Sequence, residues 1–248
     1  MAKFARTLVL LAALQQAVFP AFVNPFAQGG HPRLLSGTPS QIVPAPYAFS
    51  IWGVIYLGAL AYAVWQLTPS GRADAVTKRL APLAIAIYLG SSIWLAIAQF
   101  GPVWATVPVL LAIAGCAAAA LVVAMNPPVQ TRARTWLVAV PFGLYAGWTA
   151  CASFVNIADV APQLGFNRFG LPVPAFGMLC IGGATLAACI LSVYARGAIA
   201  LAAAVIWALV AIIVAVIVNN YALSVAVAAG LGLAAMLVTT AAVKLRAV

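Results

Sequence analysis

The chain has 248 residues, of which 66% are hydrophobic and 6% charged, and its twelve Lys/Arg against two acids give a formal net charge of +10. A soluble domain is about 25% charged, so this composition excludes a water-soluble globule and, with it, most soluble-enzyme classes. The two acids, Asp74 and Asp159, are far apart in the chain, and there is no Glu. Chemistry that needs converging carboxylates is therefore excluded as well.

A membrane-spanning helix needs about 20 mostly apolar residues. In chain order, the segments that meet this length or come near it are 7–23, 47–67, 80–98, 103–125, 135–157, 172–194, 198–218 and 222–243. The expected fold class is all-α, a polytopic membrane helical bundle of about eight transmembrane helices. Breakers stand between the segments: Asn24-Pro25, Thr68-Pro69-Ser70-Gly71, Gly101-Pro102, Asn126-Pro127-Pro128 and a Gly/Pro-rich stretch from Pro162 to Pro174. The short Asn219-Asn220-Tyr221 connection predicts a hairpin of the last two helices.

The first segment has two readings. Lys3 and Arg6 before Leu8–Leu14 resemble the start of a signal peptide. No small-x-small cleavage site follows, and Gln15-Gln16 interrupts the run, so a retained first helix is the reading adopted.

Charge sets the orientation. With the N-terminus in the cytoplasm, the inner segments hold Lys3, Arg6, Arg72, Lys78, Arg79, Arg132, Arg134, Arg196, Lys244 and Arg246. Arg33 and Arg168 are left outside. Both ends are thus expected in the cytoplasm. The basic residues are spread singly over the loops, which fits topology and not a phosphate groove, so no nucleic-acid partner is expected.

One His (His31) and no Cys-x-x-Cys leave no basis for a metal site, and no catalytic residue is assigned. Cys116, Cys151, Cys180 and Cys189 fall in apolar segments and read as reduced packing residues. Polar residues within spans tend to face the bundle interior; they are Gln66, Ser91, Ser92, Gln99, Thr149, Ser153 and Asn156, none of them ionisable. Trp65, Trp104 and Trp136 lie near segment ends and read as interfacial residues. Trp52, Trp94 and Trp148 lie well inside. Phe49, Trp52, Gly53 and Tyr56 share a helical face by spacing, as do Tyr145, Trp148, Ala152 and Asn156. Beside the second stripe, Gly143-x-x-x-Gly147 has the spacing that lets helices approach closely.

These residues resemble a known family. "PAPYAFSIWGVIYLGALAYAVWQ", with Trp52 and Tyr56, is similar to the second helix of the tryptophan-rich sensory protein, or translocator protein (TspO/MBR), family. "PFGLYAGWTACASFVN", with Tyr145, Trp148 and Asn156, resembles its fifth helix, and Trp94 in "SSIWLAIAQFG" resembles its third-helix Trp. The sequence differs at Ser91, where the family usually has Asn, and in three further helices, as in longer bacterial relatives.

The resemblance implies a five-helix core over 1–160, an external linker at 161–171 and a three-helix C-terminal membrane extension over 172–248. It implies a membrane protein, in bacteria of the cytoplasmic (inner) membrane, that binds a porphyrin, another tetrapyrrole or a similar flat hydrophobic molecule between its helices. On that basis Phe49, Trp52, Tyr56, Trp94, Tyr145, Trp148 and Asn156 are the candidate pocket residues, with residues 24–46 as an outer cap. No cofactor is obligatory; the bound molecule would be a tetrapyrrole or other apolar pigment. Expected partners are membrane lipid, the hydrophobic small molecule, and a second copy or a larger membrane complex. Two other roles fit the residues, a transporter of a small apolar solute and a structural or assembly subunit of a larger membrane complex, a pigment-carrying one included. Enzyme ranks last, with light-dependent porphyrin breakdown as the exception.

Overall fold

The computed structural model describes residues 2–23, 40–126 and 131–246. Eight of its helices are long and apolar enough to cross a membrane, and no strand occurs among the described residues. They are α1 (Ala2–Val18), α2 (Ile51–Trp65), α3 (Ala75–Phe100), α4 (Thr106–Met125), α5 (Val140–Gln163), α6 (Val173–Tyr194), α7 (Ile199–Val218) and α8 (Leu223–Arg246). A helix satisfies its own backbone polar groups, which a bilayer interior cannot do. The protein is therefore a polytopic membrane helical bundle. His31, Arg33, Asn24-Pro25 and Pro127-Pro128 lie outside the described residues.

The helix ends follow local chemistry. Thr68 Oγ1 accepts from the Gly71 N–H at 3.2 Å, and Asp74 Oδ1 accepts from the Val76 N–H at 2.9 Å. The Asp74 cap starts α3 at Ala75, five residues before the apolar run that announced it. Pro20 lies in a 3-10 turn, Phe19–Ala21, which closes α1. Ahead of α5 the chain makes a wide π-type turn over Thr135–Ala139. Pro141 follows one residue after it; it has no N–H to donate to the previous turn, and the backbone widens there. Asn220, at φ 53°, turns the chain from α7 into α8, and these two helices pack side by side.

The centre of the bundle is α5, two-thirds buried and packed against α2, α4, α6 and α7. Its contact with α7 depends on the glycine pair. A Cβ on Gly143 would sit 2.9 Å from Ala200 Cβ, and one on Gly147 only 2.5 Å from the Leu201 carbonyl oxygen. Helix α1 packs on α2 and α3 and is tied in by polar contacts. Gln15 Oε1 accepts from Ser92 at 2.9 Å, Gln16 Oε1 accepts from the Tyr145 hydroxyl at 3.1 Å, and Gln66 Nε2 donates to the Arg6 carbonyl at 2.9 Å. The two glutamines that break the hydrophobic run are thus what attaches the helix to the bundle.

The basic loops gather at one end. Arg6 donates to the Arg72 carbonyl at 3.0 Å, and Arg134 grips Asp74 through Nε (3.0 Å) and Nη2 (2.6 Å). Gly197 abuts the Lys244 side chain. Trp104 and Trp136 are exposed at helix ends, as expected of interfacial residues, but Trp65 is buried (8% exposed). The tight Thr68–Gly71 turn folds back over it, with Gly71 pressed on the Trp65 carbonyl.

Candidate ligand site

At the opposite end from the basic loops, α2, α3, α4, α5 and α7 surround an apolar space. Phe49, in the 3-10 turn Pro46–Ser50 that leads into α2, stands edge-on to Trp148 of α5, with centroids 5.8 Å apart and planes at 85°. Trp148 is also edge-on to Trp52 (6.3 Å, 86°), and Trp52 meets Tyr56 at 5.4 Å and Tyr145 at 5.7 Å. All but the tilted Trp52–Tyr56 pair (35°) are edge-to-face, a favoured aromatic geometry. They form because spacings of three and four residues put each set on one helix face, and because α2 lies against α5.

Two adjoining cavities open within this cluster, of about 70 Å³ and about 40 Å³. Phe49, Trp94, Leu110, Trp148 and Ala152 line both. Trp52 and Ser91 belong to the smaller one, and Asn156 to the larger. Five of the seven candidate residues thus face the space: Phe49, Trp52, Trp94, Trp148 and Asn156. Tyr56 and Tyr145 stand behind Trp52, and Tyr145 is held by Gln16. Gly53 is not in the cluster; it is exposed, and nothing lies within 4 Å of where its Cβ would be.

A drug-sized ligand needs a pocket on the order of 300–1,000 Å³. The space present is smaller, so a macrocycle enters only if a wall moves. The wall that is not helical is a strap, residues 40–45. Val43 and Pro44 of the strap line the larger cavity. Ser40 N–H donates to Asp159 Oδ1 at 3.0 Å, Gln41 Oε1 accepts from the Ala222 N–H at 3.1 Å, and Ala45 N–H donates to the Ala211 carbonyl at 3.0 Å. Just beyond it, Trp207 of α7 donates to the Ala48 carbonyl at 3.0 Å and meets Tyr47 edge-on at 5.4 Å.

Three features of this site were not found in the sequence. Asp159 lines the larger cavity, whereas the spans were expected to hold no ionisable group. The reason is that α5 runs to Gln163, six residues past the expected end at 157, and carries Asp159 one turn beyond Asn156. The stripe 145, 148, 152, 156 continues at 159 with helical spacing, and that was the available signal. Trp207 lay in a segment with no other aromatic residue, and nothing in it pointed toward the strap. Ala208 and Ile212 of α7 also line the cavity, so a helix of the last three contributes a wall.

The polar atoms around the cavity divide into two kinds. Thr149 and Ser153 donate to carbonyls four residues earlier, each at 2.7 Å, and are thereby satisfied. Trp94 Nε1, Trp148 Nε1 and Asn156 Nδ2 are buried with no hydrogen-bond partner; Asn156 Oδ1 faces the Thr106 hydroxyl at 3.1 Å. Groups of His, Cys, Asp or Glu that would hold a metal are absent among the described residues.

These features define a class of protein: an integral membrane helical bundle with an aromatic cavity between its helices, roofed by a strap from the first loop. A family model described as TSPO-like protein matches residues 6–242, from α1 into α8, and the chain belongs to that family. No curated protein and no solved structure matches the chain.

Proposed function

We propose that this protein binds a flat hydrophobic molecule, such as a porphyrin or another tetrapyrrole, in the bacterial cytoplasmic membrane, as a sensor or carrier. The observation that supports this most is the lining of the cavity. Three Trp and one Phe from three parts of the chain enclose one apolar space, which suits a planar apolar body. The TSPO-like family membership supports the same reading. The role is to hold a ligand and not to transform it, since the lining offers Cys151 and Asp159 with no His or Lys beside them among the described residues. Any light-driven change of a bound porphyrin would be the chemistry of the pigment.

The test is an absorbance spectrum of the gently purified protein, with mass spectrometry of whatever accompanies it, followed by porphyrin titration. The Trp52→Ala, Trp148→Ala double variant is expected to insert and fold yet to lose binding. Unchanged affinity in that variant would refute the pocket, and a protein that carries nothing and ignores added porphyrin would favour a transport or assembly role.

A further inference from the structure

We infer that the groove between the end of α5 and the start of α6 binds a phospholipid, with an acyl chain laid along its rings and a net-anionic headgroup at Arg168. The groove shares no lining residue with the aromatic cavity, and the inference does not depend on the ligand proposed there.

The groove has a volume of about 340 Å³, larger than either space within the aromatic cluster. Phe154, Ile157 and Ala161 of α5 form one wall, which runs about 10 Å along the helix from its end. Phe154 is laid against α6 at Gly183, where a Cβ would stand 2.4 Å from the ring. On the other wall Leu179 is 51% exposed and shares a face of α6 with Leu186 and Ile190, both exposed. The groove therefore opens on the side of α6 that faces lipid.

The linker closes the end of the groove with two more rings. Phe166 meets Phe169 edge-on at 4.8 Å and Phe176 of α6 at 6.0 Å, yet Phe169 remains 70% exposed. Arg168 and Phe169 both stand at φ 56°, a region that bulky residues rarely adopt. Strain of this kind is kept at ligand clamps, and here it sets a cation and an apolar wall at consecutive positions.

Charge decides the occupant. Arg168 Nε is buried without a hydrogen-bond partner. A guanidinium carries only donors, and phosphate oxygens match their geometry. Among the described residues the other Lys and Arg belong to the segments of the basic end, so Arg168 stands apart from that cluster. An apolar solute would fit the groove and leave the cation unused. A phospholipid matches both parts in the order in which they occur, charge beyond the helix ends and chain alongside the helices.

The test is native mass spectrometry of the full-length protein, released from detergent after titration with phosphatidylglycerol or phosphatidylcholine of the same acyl chains. The first is net anionic and the second zwitterionic. One phosphatidylglycerol is expected to bind about fivefold more tightly than phosphatidylcholine. Arg168→Gln should bring it down to the phosphatidylcholine level, whereas Arg132→Gln, at the basic end, should leave the preference in place. Phe169→Gly removes a wall ring and suits the positive φ, so it should weaken both lipids without lowering the unfolding midpoint. Ala161→Phe, which fills the groove, should weaken both lipids as well.

Equal affinity for the two lipids, or a preference that persists in Arg168→Gln or is lost equally in Arg132→Gln, would overturn the headgroup site. Parent-like binding of both lipids in Phe169→Gly and Ala161→Phe would overturn the chain site, as would a protein that retains neither lipid against the detergent.

Discussion

Gly147 has no room for a side chain, because the carbonyl oxygen of Leu201 lies only 2.5 Å from where its Cβ would be. Backbone cannot swing aside as the tip of a side chain can. Gly147→Leu is therefore expected to force α5 and α7 apart and cost about 1–3 kcal/mol or more. A lower midpoint in thermal unfolding in detergent would show it, and Gly53→Leu, at an open position, should leave the midpoint near the parent value. The two glycines looked alike in the sequence, one in a small-x-x-x-small pair and one in an aromatic stripe. What separates them is the neighbouring helix, which local spacing does not identify. The aromatic residues were easier to read, since Phe49, Trp52 and Trp148 meet through periodicity on two adjacent helices. Tyr56 and Tyr145 satisfy the same periodicity but stand one layer back, a matter of depth that periodicity does not encode.

Helix α1 shows why a polar interruption in a hydrophobic run has two meanings. Gln15 and Gln16 weaken the segment as a plain lipid-facing span, and in the bundle they reach Ser92 and the Tyr145 hydroxyl. Gln16→Leu would strip the Tyr145 hydroxyl of its acceptor in a fully buried place. Helix ends were legible where the apolar run itself stopped, as at both ends of α7, and were missed at the start of α3 despite its Asp74 cap and at the end of α5, where the apolar run was taken to stop at 157. The Asp74–Arg134 pair ties the start of α3 to the turn before α5, and both side chains are 14% exposed. Arg134→Ala removes a two-pronged contact and leaves a mostly covered carboxylate, so a loss on the order of 1–3 kcal/mol is expected. Arg134→Lys should recover part of it, because a single ammonium cannot match both oxygens. Chemical denaturation in mixed micelles would rank the three proteins.

The eight-helix count and the single basic end follow from composition alone, since apolar length and loop charge are additive properties of the sequence. Tags on residues near either end are expected to react only from the cytoplasmic side. An N-terminal tag should stay on the chain, which immunoblotting of the membrane fraction would check. The arrangement of the last three helices was not legible, because their Ala/Val/Ile surfaces suit lipid and protein equally well. The structure sets α7 against the glycine face of α5 and against the roof of the cavity. That roof is fastened at three places, to the end of α5 at Asp159, to α7 at Ala211 and to the start of α8 at Ala222. For any molecule held beneath it, the aromatic walls govern how well it fits, while these three fastenings govern how long it stays. Residence time and affinity are therefore separately adjustable, and a substitution in α7 or α8 that loosens the roof would shorten the stay without touching a ring.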